Sequence, residues 1–112
     1  MISHDHRCIF VHIPKTGGSN IENVIWPHPR SESDLWMGFV QPFRNKYQTG
    51  GLQHLQARQM RQEVSQDAFR RYFKFSIVRN PWDKAVSQCA YLKKRPDLCD
   101  YLGIAADAPF EQ

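Results

Sequence analysis

Apolar residues along this chain come in short blocks whose spacing changes from one block to the next. Cys8-Ile9-Phe10-Val11-His12-Ile13 is a nearly continuous apolar run with β-branched and aromatic members, which reads as a strand buried in a parallel sheet. Pro14 has no N–H to give the ladder and stops the strand. Ile21, Val24 and Ile25 then recur at i, i+3 and i+4, which predicts a helix with one apolar face. That helix closes at Trp26, because Pro27 and Pro29 cannot continue it. A second helix is predicted over 52–64, where Leu52, Leu55, Met60 and Val64 occupy about half of a helical wheel. A short helix over 66–72 and a strand over 73–78 follow. Val86, Cys89, Ala90 and Leu92 make the face of a further helix, with Asp83 as its expected N-cap. Lys93, Lys94 and Arg95 fall in its last turn, where cations suit the dipole, and Pro96 ends it. Residues 1–7 are polar and expected to fray, while residues 30–50 show neither period. The order of elements predicts an α/β fold, a parallel sheet flanked by helices.

The first strand and first helix are joined by Lys15-Thr16-Gly17-Gly18-Ser19. Two glycines let the backbone approach an anion with its N–H groups forward, and the helix N-terminus adds a favourable dipole. Lys15 supplies a positive charge, and Thr16 and Ser19 supply hydroxyls. The order of residues is not that of a Walker A loop, in which the lysine follows the last glycine. Here the lysine precedes the glycines, and no later hydrophobic run ends in an aspartate to hold Mg²⁺. A kinase or other NTPase is therefore not expected.

Ile13-Pro14-Lys15-Thr16-Gly17-Gly18-Ser19 after a hydrophobic strand resembles the 5′-phosphosulfate-binding loop of the sulfotransferases. The likeness is closest to the carbohydrate-type family, whose members often carry F-x-H-I-P-K-T-G-G-T. A second stretch, F-S-I-V-R-N-P-W-D-K-A-V-S from Phe75 to Ser87, resembles the same family's 3′-phosphate-binding element. Two motifs in the right order are more specific than either alone. The resemblance implies a P-loop-like fold and 3′-phosphoadenylyl sulfate (PAPS) as sulfuryl donor, with no metal required. It also implies a hydroxyl acceptor, expected to be a carbohydrate. The loop residues Lys15, Thr16, Gly17, Gly18 and Ser19 would take the 5′-phosphate, with Lys15 also neutralising charge on the bridging oxygen. Arg79 and Ser87 would take the 3′-phosphate.

Residue chemistry supports parts of that assignment independently. Arg79 follows a predicted parallel strand, at the sheet edge where α/β proteins bind ligands, and its guanidinium can hold a phosphate bidentately. Ser87 lies eight residues on, in the following helix. Sulfuryl transfer to a hydroxyl benefits from a base that titrates near neutrality, which histidine supplies. Gln53-His54-Leu55-Gln56-Ala57 resembles the family's H-x-T-A signature, with Gln56 in place of the threonine, so His54 is the candidate base.

At 112 residues with 41% apolar residues, the chain makes a single domain, 1–112, with a modest core. Relative to the family pattern it stops soon after the 3′-phosphate element, which reads as a short or truncated member. A fragment that binds nucleotide without catalysing is the alternative expectation. The net charge of +4 suits an anionic ligand. The basic residues are not interleaved with aromatics in any nucleic-acid-binding pattern, so no nucleic acid is expected. His4, His6 and His12 lack a carboxylate or thiol cluster at metal-ligand spacing, and no metal site is expected. Cys8, Cys89 and Cys99 are an odd set without C-x-x-C spacing, which fits thiols in a reducing compartment. With no apolar leader and no run of transmembrane length, the cytoplasm is the expected location.

Overall fold

A computed structural model describes residues 1–35, 54–105 and 107–109. These fall into two compact units, Met1–Val78 and Arg79–Gln112. The first unit is a three-stranded sheet in the order β1 (Ile2–Ser3), β2 (Cys8–Val11), β3 (Phe73–Ser76), with helices α1 (Gly18–Ile25), α2 (Ala57–Glu63) and α3 (Gln66–Arg71). The second unit holds α4 (Pro81–Leu92) and α5 (Pro96–Leu102).

The predicted strands pair in parallel, with Phe10 opposite Phe75 and Val11 opposite Ser76. The sheet as a whole is mixed rather than parallel, because β1 joins the free side of β2 in the antiparallel sense, with Ile2 opposite Ile9. This corrects the expectation for the N-terminal residues. Met1 and Ile2 are buried, and two apolar side chains ahead of a polar turn are enough to anchor a short strand.

The pleat of β2 sends alternate side chains into two clusters. Ile9 packs with Ile2, Leu35, Leu55, Met60 and Ala68, and Val11 packs against the same group. Phe10 packs on the opposite side with Met1 and Trp26, flanked by Ile21, Ile25, Phe75 and Ile77. Thus α2 and α3 supply one layer and α1 the other. Fully burying a side chain such as Phe10 contributes about 1.5–3 kcal/mol. Trp26 is anchored further, since its indole Nε1 donates to the Ile2 carbonyl at 3.1 Å.

Several local expectations shift. Val24 is 77% exposed, so the buried face of α1 runs through Ile21, Ile25, Glu22 and the following Trp26. Helix α2 begins at Ala57, and His54 precedes it; Leu52 and Gln53 lie outside the described residues. Of the stretch 30–50, only 30–35 is described: a 3-10 turn at Glu32–Asp34 followed by the buried Leu35. Asn80 caps α4, its Oδ1 accepting from the Trp82 N–H at 3.0 Å, and Pro81 takes the first helical position, where a missing N–H is harmless. Asp83 stands in the first turn instead of at the cap. Lys93 and Lys94 come after the helix rather than in its last turn. Cys89 and Leu92 are half-buried on α4, while Val86 is 59% exposed.

Candidate functional site

The end of β2 is held by side chains instead of by the ladder. Three successive carbonyls accept from them: Val11 from Ser76 Oγ at 2.7 Å, His12 from His54 Nδ1 at 3.2 Å, and Ile13 from Thr16 Oγ1 at 2.7 Å. Pro14 has no N–H and the main chain leaves the sheet here, so donors must come from elsewhere.

The turn that follows alternates in handedness. Lys15 has φ 64° and Gly17 φ 85°, while Thr16 between them keeps a negative φ. Alternation of this kind turns successive N–H groups toward one concavity, the geometry of an anion nest. A left-handed conformation at a residue with a Cβ, as at Lys15, costs about 1–2 kcal/mol, and such strain gathers at ligand loops. Gly17 is the N-cap of α1, and no side chain caps that end. The first N–H groups of a helix have no partner within it, so those of Gly18 and Ser19 meet the same concavity from the helix side.

The two glycines are needed for different reasons. Gly17 is exposed, and a Cβ there would meet nothing, so its requirement is conformational. Gly18 is buried, and a Cβ there would fall 2.1 Å from Nε2 of His12. Its requirement is space. Lys15 is half-buried, Ser19 is exposed, and Thr16 is buried with its hydroxyl proton directed to Ile13.

Below the turn lies a buried polar group. His12 stacks on Phe10, with ring centroids 5.2 Å apart. Its Nδ1 stands 2.6 Å from Oε1 of Glu22 on α1. Neither atom has a hydrogen-bond partner, so the pair is a close contact that becomes an ion pair when the imidazole is protonated. The other Glu22 oxygen accepts from Arg30 Nη1 at 3.1 Å. His12, Glu22 and Arg30 were not singled out by sequence as parts of the site. One signal was available: Glu22 sits four residues before Trp26, on the inward face of α1, where a carboxylate needs partners.

His54 completes the group, its ring centroid 4.6 Å from that of His12. A carbonyl oxygen can only accept, so Nδ1 of His54 carries the proton and the neutral ring presents Nε2 as a lone pair. Burial pushes the His54 imidazole below its ordinary 6.5, partly offset by the His12 carbonyl. His12 is lowered too, first by burial and then by the Met1 amino group in its protonated form. A neutral imidazole with a defined tautomer can accept a proton from a hydroxyl.

Arg79 and Ser87 belong to the second unit. Arg79 is exposed, immediately before the Asn80 cap, and Ser87 is half-buried in α4. The structure therefore brings the glycine turn and His54 together around the end of β2, within the first unit.

Among protein-family models, residues 1–96 match the Sulfotransferase family. The chain belongs to the sulfotransferase family. The matched span takes in the glycine turn, His54, Arg79 and Ser87. Comparisons with curated proteins and with solved structures give no match. Among the described residues of this sulfotransferase, no helix is long and apolar enough to cross a membrane. Nor do three or more His, Cys, Asp or Glu residues gather there as a metal site.

Proposed function

We propose that this chain binds PAPS and transfers its sulfuryl group to a hydroxyl of an acceptor, with a carbohydrate as the acceptor class. The observation that carries the reading is the alternation of φ through Lys15, Thr16 and Gly17 at the junction of β2 and α1, in a chain of the sulfotransferase family. In this reading the N–H groups of Gly17, Gly18 and Ser19 receive the 5′-phosphate, and Thr16 contributes its N–H while its hydroxyl closes the turn. The acceptor oxygen forms its bond to sulfur as the bond from sulfur to the bridging phosphate oxygen breaks. The acceptor proton passes to Nε2 of His54. Lys15 neutralises the charge that gathers on the departing oxygen, and 3′-phosphoadenosine 5′-phosphate (PAP) leaves. Arg79 and Ser87 are assigned to the 3′-phosphate from the sequence motif alone. Three thiols suit a cytoplasmic setting.

Calorimetric titration tests the proposal. PAP should bind without Mg²⁺ and more tightly than AMP, which lacks the 3′-phosphate. Equal affinity for the two would remove the 3′-phosphate assignment. Transfer from sulfur-labelled PAPS to a panel of saccharides and small alcohols tests the chemistry. PAP binding with no transfer would reduce the chain to a nucleotide-binding protein.

A further inference from the structure

The His12 imidazole occupies the space that a side chain at position 18 would need, with Nε2, Cδ2 and Cε1 at 2.1, 2.3 and 2.8 Å from an ideal Cβ there. A histidine at the far end of an exposed side chain would swing aside. This one is buried, stacked on Phe10, beside His54, and in contact with a carboxylate that Arg30 holds from the other side. Each partner comes from a different stretch: Phe10 from β2, Glu22 from α1, Arg30 from the chain after α1, and His54 from the approach to α2.

We propose that His12 is a positioning residue for the phosphate loop: its imidazole, locked by Glu22 and Arg30, is the seat on which the first turn of α1 rests. The ring meets the backbone at Gly18, one of the residues whose N–H faces the concavity, so its position sets the height of that N–H above the strand end. The Glu22–Arg30 pair keeps the ring from rotating out, and Arg30 balances the buried Glu22 carboxylate close to the proposed anion site. This inference rests on the nucleotide-binding reading for its functional consequence. The seat itself does not.

The test is a double-variant cycle on the full chain, read by PAP affinity and by melting midpoint. Gly18→Ala should weaken PAP on the order of tenfold, as an overpacked contact does. His12→Ala should also weaken PAP, with a smaller effect. The combined variant should bind PAP more tightly, and melt higher, than Gly18→Ala alone, because removing the ring opens the space the new methyl needs. Glu22→Ala should rescue Gly18→Ala in part by unlocking the ring. Additive losses in either cycle, or wild-type affinity in Gly18→Ala, would overturn the seat. If Gly18→Ala does not fold, the combined variant decides: a folded product supports the seat and an unfolded one overturns it. Failure of the wild-type chain to bind PAP would instead remove the nucleotide reading, while the melting cycle would still decide the position of His12.

Discussion

The turn after β2 and the segment from Arg79 to Ser87 were recognised by the same means, a motif at the end of a strand, yet they are built differently. The turn is fastened from below: Thr16 ties back to Ile13, Gly18 lies on His12, and His12 is braced through Glu22 to Arg30. For the proposed phosphate site, a turn fastened in this way would be preorganised, which reduces what binding must spend on ordering. In the Arg79 segment the backbone is set by the Asn80 cap and Pro81. The Arg79 side chain is exposed. A motif made of main-chain donors needs a rigid seat, whereas one made of a long cationic side chain needs only a well-placed Cα.

That contrast can be tested most strongly at His54. His54→Ala should leave PAP affinity close to wild type and lower sulfuryl transfer by about 10²–10⁴-fold, the range for a general base. Transfer at the wild-type rate would remove the base assignment and leave the seat beneath the turn intact. A smaller effect is expected at Arg79. Arg79→Ala should weaken PAP by about 1.5–3 kcal/mol, the range for a hydrogen bond to a charged group, while AMP is little changed. An equal loss for both ligands would mean that the second region acts through folding and not through the 3′-phosphate.

The smallest effect is on stability against pH. The His54 pKa is lowered in the folded chain from an ordinary 6.5 by burial. The unfolded chain therefore binds the proton more readily, and this contribution to stability is fully present above 6.5 and lost as the pH falls toward the folded value. Melting midpoints should decline as buffers move from about pH 7.5 to about pH 5, with a shallower decline in His54→Gln. An unchanged slope in that variant would place the sensitivity in other groups.

Much of the site was legible because it is local. A strand, a proline, a lysine and two glycines within one turn state their own geometry, and β2 announced itself as an apolar run. What escaped was non-local. Ile2 is a strand residue only because Ile9 stands opposite it. His12 looked like an isolated ring on a strand, and its meaning depends on Gly18 and Glu22, which α1 folds back over it. Glu22 was not part of the apolar period of α1 yet is buried, whereas Val24, which fitted the period, is exposed. The start of α2 moved because Leu55 is buried as part of the approach to the helix and not as one of its turns. Residues 36–50 gave no period, and they lie outside the described residues, as do 51–53.

The thiols of β2 and α5 have a practical use. Cys8 is buried on β2, and burial raises its pKa above the ordinary thiol value, so little of it is thiolate and alkylating reagents should reach it only when the sheet opens. Cys99 is buried in α5, with its Sγ donating to the Leu92 carbonyl at 3.3 Å. Each unit thus carries its own concealed label, placed there by packing. Mass-resolved alkylation of Cys8 and Cys99 over time would clock the opening of the two units separately, within one chain and without introducing a probe.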